Sequence, residues 1–336
     1  MKKKVLSALI AGIMSVGLVA CGGNTNSPNN NTSDSKAADK DQINVSVILK
    51  TTASEYWGYV MAGAKAYAAD HPDVKVDVQG ASSETAYDEQ LNIIETNLAS
   101  SQYDGYVIAP LQADMVATKI AGESKPIIAV DTKIEAPEIL SFVGTGNEAA
   151  AKEGGLAAVA AAKEAGWDEL TAISITGVQG DSTATARLNG YQQGVEEAGG
   201  TFLSNEIQYA DAVADRAFAS MEAIMQNHPK GVAMILCNND DMAIAAARAA
   251  RGNAAYAKTI FVGFDGIQSA CKAILANEQT MSVAQNSFDM GYKAVEACVD
   301  AINGKTVETF IDSGSKIITI ENAQEQLDSL KSFLGE

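Results

Sequence analysis

Short clusters hold the side chains of this sequence with the most chemistry in them. Lys50, Ser54, Glu55, Tyr56 and Trp57 come first, followed by Asp131 and Arg187, and then by Asn238-Asn239-Asp240, Gly263-Phe264-Asp265-Gly266 and Ala284-Gln285-Asn286. Carboxylates and amides can each engage two vicinal hydroxyls, Arg and Lys donate to ring and hydroxyl oxygens, and an aromatic face covers the apolar C–H face of a pyranose. These residue types meet the needs of a neutral sugar. They do not include a paired nucleophile and base. Both histidines lie in His-Pro steps, His71-Pro72 and His228-Pro229, each closing an Ala-rich stretch, so both are expected at helix ends rather than in general-base or metal work. With two His and four Cys in the chain, no metal site and no cofactor is expected, and Ser-His-Asp, Cys-His and zinc chemistry are set aside.

Two glycine motifs imitate phosphate binders. Gly304-Lys305-Thr306 ends like a P-loop, but the glycine required earlier falls on Val299 and a helical stretch stands where a strand should be. Gly177-Val178-Gln179-Gly180 follows a strand and precedes a helix, where its amides face an anion or simply turn the chain. The second sense is the expected one.

Clusters this far apart must be gathered by a fold, and the hydropathy pattern names one. Ile43 to Leu49, Val74 to Val78, Gly105 to Ala109 and Pro126 to Val130 are short β-branched runs, separated by helical stretches such as Tyr59 to Ala69 and Gln90 to Ala99. A second series begins after residue 146, with strands expected at Leu170 to Thr176, Phe202 to Gln208, Val232 to Leu236 and Thr259 to Phe264. Repeated βαβ units build parallel sheets covered on both faces, and two series predict two similar lobes. Ligands of open parallel sheets bind beyond the carboxyl ends of the strands, where the clusters lie. Asp240 is expected to cap the helix after it, Met242 to lie in a core, Trp167 to be structural, and the last stretch, with Leu327, Leu330 and Leu334 at helical spacing, to dock on a lobe.

The chain has 336 residues and a net charge of −18, enough length for two domains and a surface that repels phosphate backbones, so no nucleic-acid partner is expected. Lys2, Lys3 and Lys4 precede an uncharged run from Val5 to Ala20, the pattern of an export signal. Leu18-Val19-Ala20-Cys21-Gly22 resembles a bacterial lipobox, which implies a signal peptide over residues 1–20 and a lipid on Cys21. Residues 21–41, rich in Asn, Ser, Gly and Thr, are expected to be a flexible tether. Cys237, Cys271 and Cys298 have no C-x-x-C spacing and are expected as small buried hydrophobes.

A family resemblance follows from the motifs together. Lys50-Thr51-Thr52, Tyr56-Trp57, Ala109-Pro110, Val130-Asp131, Asn239-Asp240-Asp241-Met242-Ala243, Val262-Gly263-Phe264-Asp265-Gly266 and Val283-Ala284-Gln285-Asn286 resemble, in order and spacing, the substrate-binding proteins of bacterial sugar ABC transporters of the ribose, galactose and allose type. The resemblance runs over residues 43–320. It implies an α/β fold of the periplasmic-binding-protein type I class, with two Rossmann-like lobes joined by a three-strand hinge. The lobes are expected at residues 42–145 plus 286–312 and 146–285 plus 313–336, with crossings near 143–147, 284–288 and 311–315.

By the same resemblance, Tyr56 and Trp57 stack on a sugar ring and Asp131, Asn239, Asp265 and Gln285 bind hydroxyls. Lys50 matches the allose-like branch, Arg187 matches the galactose-like branch, and Ser54 stands where relatives place Asn or Asp. Thr132, Thr185 and Ala212 stand where relatives carry larger groups, which predicts a wide cleft and a substituted or larger sugar. The implied protein is a monomeric, lipid-anchored receptor outside the cell membrane, delivering carbohydrate to an ABC permease whose ATPase is another chain. Two alternatives share these residues: a sugar module feeding a chemoreceptor or histidine kinase, and a carbohydrate-active enzyme using Asp131 and Asp265 as its carboxylates.

Overall fold

The computed structural model describes residues 42–336; the expected signal peptide, Cys21 lipidation and tether lie outside the described residues. The first series is β1 (Ile43–Thr51), α1 (Glu55–Asp70), β2 (Val74–Ala81), α2 (Tyr87–Ala99), β3 (Gly105–Ile108), α3 (Ala113–Ile120), β4 (Ile127–Val130) and β5 (Ile139–Gly144). The second is α4 (Asn147–Glu164), β6 (Thr171–Thr176), α5 (Ser182–Glu197), β7 (Thr201–Phe202), β8 (Gln208–Tyr209), α6 (Ala214–Asn227), β9 (Met234–Cys237), α7 (Asp240–Ala250), β10 (Ile260–Asp265), α8 (Gln268–Leu275) and β11 (Met281–Gln285). The chain closes with α9 (Ser287–Ile302), β12 (Phe310–Asp312), β13 (Ser315–Ile318) and α10 (Ala323–Leu334).

Two sheets result, ordered β12-β5-β4-β3-β1-β2 and β13-β11-β10-β9-β6-β7. All pairings are parallel except that of β13 with β11. Each sheet is buried on both faces, as parallel pairing through helical crossovers requires. On β1, Val45, Val47 and Leu49 pack into the core beneath α1 and α9, while Ile48 points into the core under α2 and α3. The second sheet is covered likewise by α4 and α5 on one face and by α6 and α7 on the other.

The chain passes between the sheets where β5 leads into α4, where β11 leads into α9, and where β12 leads into β13. The corresponding links are residues 145–146, 286 and 313–314. Hydrogen bonds tie the links together: Asn286 Nδ2 donates to the Ser313 carbonyl at 2.8 Å, and the Thr145 and Ser313 hydroxyls are 3.2 Å apart. The helices α8 and α10 also bridge the lobes, because Ile267, Ala270, Cys271, Ile274, Leu327 and Leu330 share one apolar core with α1 and α9.

Helix α1 carries the aromatic pair of the site, and its placement depends on two glycines. A Cβ on Gly63 would collide with the Phe288 carbonyl of α9, and one on Gly291 with the Val60 carbonyl of α1. The two backbones touch there, which only glycine permits.

One expected strand is wrong. Phe202 to Gln208 is not continuous: Thr201 and Phe202 pair with the start of β6, Gln208 and Tyr209 with its end, and Leu203 to Ile207 loop out between. The Ser204-Asn205-Glu206 segment turns the chain, with the Glu206 amide donating to the Leu203 carbonyl at 2.9 Å.

Candidate functional site

A cavity of about 80 Å³ lies between the carboxyl ends of the two sheets. Of the nine expected site residues, eight line it: Lys50, Ser54, Tyr56, Trp57, Asp131, Arg187, Asn239 and Asp265.

Ser54 ends the loop after β1, so the first turn of α1 presents Tyr56 and Trp57 to the cavity. Their rings meet edge to face at 5.0 Å and 79°. Each polar tip is occupied, as burial demands: Tyr56 OH donates to Asp131 Oδ1 at 2.7 Å, and Trp57 Nε1 donates to Glu84 Oε1 at 2.7 Å. Asp131 follows β4 with φ of 63° and also accepts from the Thr132 hydroxyl at 2.8 Å.

From the other lobe, α5 delivers Arg187. Its guanidinium lies 3.8 Å from the centre of the Phe264 ring and donates to Asn147 Oδ1 and to the Asn238 carbonyl, each at 2.8 Å. Its Nη1 also reaches Asp265 Oδ1 at 3.5 Å. Asp265 is the last residue of β10, with φ of 116°, and Gln285 Nε2 donates to it at 2.8 Å. Between the lobes, Lys50 Nζ meets Asp181 Oδ2 at 3.2 Å.

Burial sets the proton affinities. It lifts Asp265 well above the usual carboxylate range, against the pull of Arg187, and lifts Glu84 against Lys50 and the Trp57 bond. For Asp181 burial acts upward too, but Lys50 and the Ala184 amide outweigh it and hold the carboxyl low. Lys50 loses to burial and gains more from Asp181, Glu84 and Asp131, so it stays charged. Lys50 is thereby matched to an ionised Asp181, Arg187 spends its hydrogen bonds on Asn147 and the Asn238 carbonyl, and Glu84, Asp131 and Asp241 make the rest of the lining acidic, which disfavours an anionic ligand. Such a set can donate to and accept from neutral hydroxyls.

Several expectations are corrected. Gln285 does not line the cavity; it is buried behind Asp265 and orients that carboxylate. Asn239, not Asp240, caps α7, its Oδ1 accepting from the Met242 amide at 2.9 Å. Asp240 is instead fully buried and accepts from the Gly266 and Ile267 amides at 2.7 and 3.1 Å. The three small residues differ in place. Ala212 does line the cavity, but Thr132 is tied to Asp131, and Thr185 is exposed with its hydroxyl on the Asp181 carbonyl. Tyr209 and Phe218, on either side of Ala212 in the chain, do not line the cavity and are exposed.

Glu84, Asp181, Thr183 and Asp241 line the cavity and were missed. Glu84 follows β2 and Asp181 follows β6, so the strand-end rule would have named both. The cysteines behave as read: Cys237, Cys271 and Cys298 are free and buried. Trp167 holds Lys258 through its Nε1, and Met242 is core. Among the described residues, no group of three or more His, Cys, Asp and Glu is placed to hold a metal ion.

Residues 45–306 match the profile of a family described as a periplasmic binding protein domain. The chain is 28% identical over 289 residues to the D-allose-binding periplasmic protein of Escherichia coli K12, covering 83% of this chain and 88% of that protein. It is 30% identical over 205 residues to the ribose import binding protein RbsB of Salmonella typhimurium, covering 60% and 67%. Among solved structures, it resembles a carbohydrate transporter solute binding protein from Agrobacterium radiobacter in complex with D-arabinose. That likeness has a TM-score of 0.78 at 26% identity, covering 86% of this chain and 98% of the other.

Proposed function

The chain belongs to the periplasmic binding protein domain family, and on that premise we propose that it is an extracytoplasmic receptor that captures a monosaccharide between its lobes for delivery to an ABC permease. The observation that carries the ligand class is the cavity itself: an aromatic pair from one lobe, an arginine stacked on Phe264 from the other, and Asp131 and Asp265 facing the same space. Relatives named for D-allose and ribose support the same class. In this reading Tyr56 and Trp57 cover the ring, Asp131, Asp265 and Arg187 take hydroxyls, Lys50 closes the cleft against Asp181, and Gln285 acts through Asp265. Asn239 contributes its amide nitrogen, since its oxygen caps α7. The small cavity supports a single ring rather than a disaccharide.

Thermal denaturation with D-allose, D-ribose and D-arabinose tests the proposal. A ligand at a hundredfold excess over Kd stabilises by about 2.7 kcal/mol, so at least one sugar should raise the Tm by several degrees. No shift with any neutral monosaccharide would remove the reading. The finer elements are a signal peptide over residues 1–20, a lipid on Cys21, a tether to residue 41, and action as a monomer. Replacing Cys21 by Ser should release the protein from the membrane fraction into the soluble fraction.

A further inference from the structure

Helix α8 begins without a cap of its own. Its N-cap position is Ile267, which has no acceptor, yet the amides of its first turn are satisfied by groups from elsewhere in the chain. Asp240 of the same lobe takes the Gly266 and Ile267 amides. The next two go to the other lobe: the Gln268 amide donates to Tyr59 OH at 3.4 Å, and the Ser269 amide donates to Glu55 Oε1 at 3.2 Å. The Ser269 hydroxyl also donates to Glu55 Oε2, and Tyr59 OH donates to Glu55 Oε1 at 2.7 Å, fixing the carboxylate in place. A residue of α1 thus caps a helix 214 positions away.

The location gives this bond its meaning. Glu55 does not line the cavity, but it immediately precedes Tyr56 and Trp57, which do. Ser269 lies in the first turn of α8, the helix that follows Asp265, a cavity carboxylate of the facing lobe. A carboxylate at a helix N-terminus also gains from the positive end of the helix dipole. We infer that Glu55 is a positioning residue: by capping α8 from the opposite lobe it fixes the aromatic wall in register with Asp265 and holds the lobes together over the sugar. The inference rests on the receptor reading given above. A bond that forms when the lobes meet acts after encounter, so its loss speeds release and leaves capture unchanged.

The experiment compares the unmodified protein with Glu55→Ala, Glu55→Gln and Ser269→Ala. Stopped-flow tryptophan fluorescence follows D-allose and D-ribose binding, and amide exchange at Ser269 is measured in the same proteins with and without sugar. Glu55→Ala should raise the dissociation rate at least about tenfold with the association rate within about twofold. Glu55→Gln, whose amide oxygen still accepts from Ser269, should stay within about threefold of the unmodified protein, and Ser269→Ala should fall between them. The Ser269 amide should exchange at least about tenfold faster in Glu55→Ala. An unchanged dissociation rate in Glu55→Ala overturns the inference, as does a Glu55→Gln protein equal to it. If the unmodified protein binds neither sugar nor any other neutral monosaccharide, the receptor reading fails and amide exchange alone decides: faster exchange in Glu55→Ala sustains the tie between the lobes, and equal exchange overturns it.

Discussion

Asp131 and Asp265 hold backbone conformations that residues with a Cβ avoid, with φ of 63° and 116°, and Ala212 at the same cavity has φ of 59°. Such positions cost on the order of 1–3 kcal/mol each and persist where the surroundings fix them, commonly at functional sites. Removing either carboxyl group should weaken sugar binding at least about tenfold, since a hydrogen bond to a charged group contributes about 1.5–3 kcal/mol and a buried partner left unpaired costs about 1–3 kcal/mol. Asp265→Gly should also be more stable than Asp265→Ala, because only glycine relieves the backbone; urea denaturation of the two variants checks it. Asp240 makes a pH prediction. Burial pushes its carboxyl from 3.8 to about 7, against the bonds from Ser282, Gln279, Ile267 and Gly266. Between those values the folded protein keeps a proton that the unfolded chain has released. This contribution to stability is therefore full at low pH and lost as the pH rises through 7. The loss of stability from pH 5 to 7 should be smaller in Asp240→Asn than in the unmodified protein by up to about 3 kcal/mol, and superimposable profiles would refute the assignment.

Elements announced themselves in the sequence where burial on both faces made them uniform. The β-branched runs at Ile43, Gly105 and Pro126 needed no partner to be recognised, and the Ala-rich helices between them completed the βαβ pattern. Elements defined by their neighbours did not: β7 and β8 are two residues each and exist only as additions to the ends of β6, and β12 is an exposed edge that a hydropathy pattern cannot distinguish from a loop. The same limit applies to the site. Strand-end position was enough for Lys50, Tyr56, Asp131 and Asp265. The choice between Asn239 and Asp240 as the cap of α7, and the retreat of Gln285 behind Asp265, depend on three-dimensional neighbours that no spacing records. Helix α10 shows this at larger scale. It docks by Leu327 and Leu330 as its spacing predicts, but the core they enter is shared by α1, α8 and α9, and Phe333 stacks on Phe288 of α9 at 4.3 Å. Leu330→Ala, at a site 3% exposed, should cost about 2–5 kcal/mol in chemical denaturation and leave sugar affinity within about threefold, because α10 braces the hinge without facing the cavity.

For the whole molecule, the architecture explains how a chain without a nucleophile–base pair in its cavity has use for so many polar groups there. The two sheets bring complementary halves of one site to a common cavity, and three adjacent links carry the chain between the halves. Charge follows the same logic, with Lys50 paired to Asp181, Arg187 beside Asp265, and further acidic side chains lining the cavity. Calorimetric titration of the purified protein with D-allose, D-ribose, D-arabinose and a panel of disaccharides tests this most directly. The account predicts one site per chain for a monosaccharide, at least about tenfold tighter than for any disaccharide, which is about 1.4 kcal/mol. Binding heat from no neutral monosaccharide, or tighter binding of a disaccharide, would contradict it.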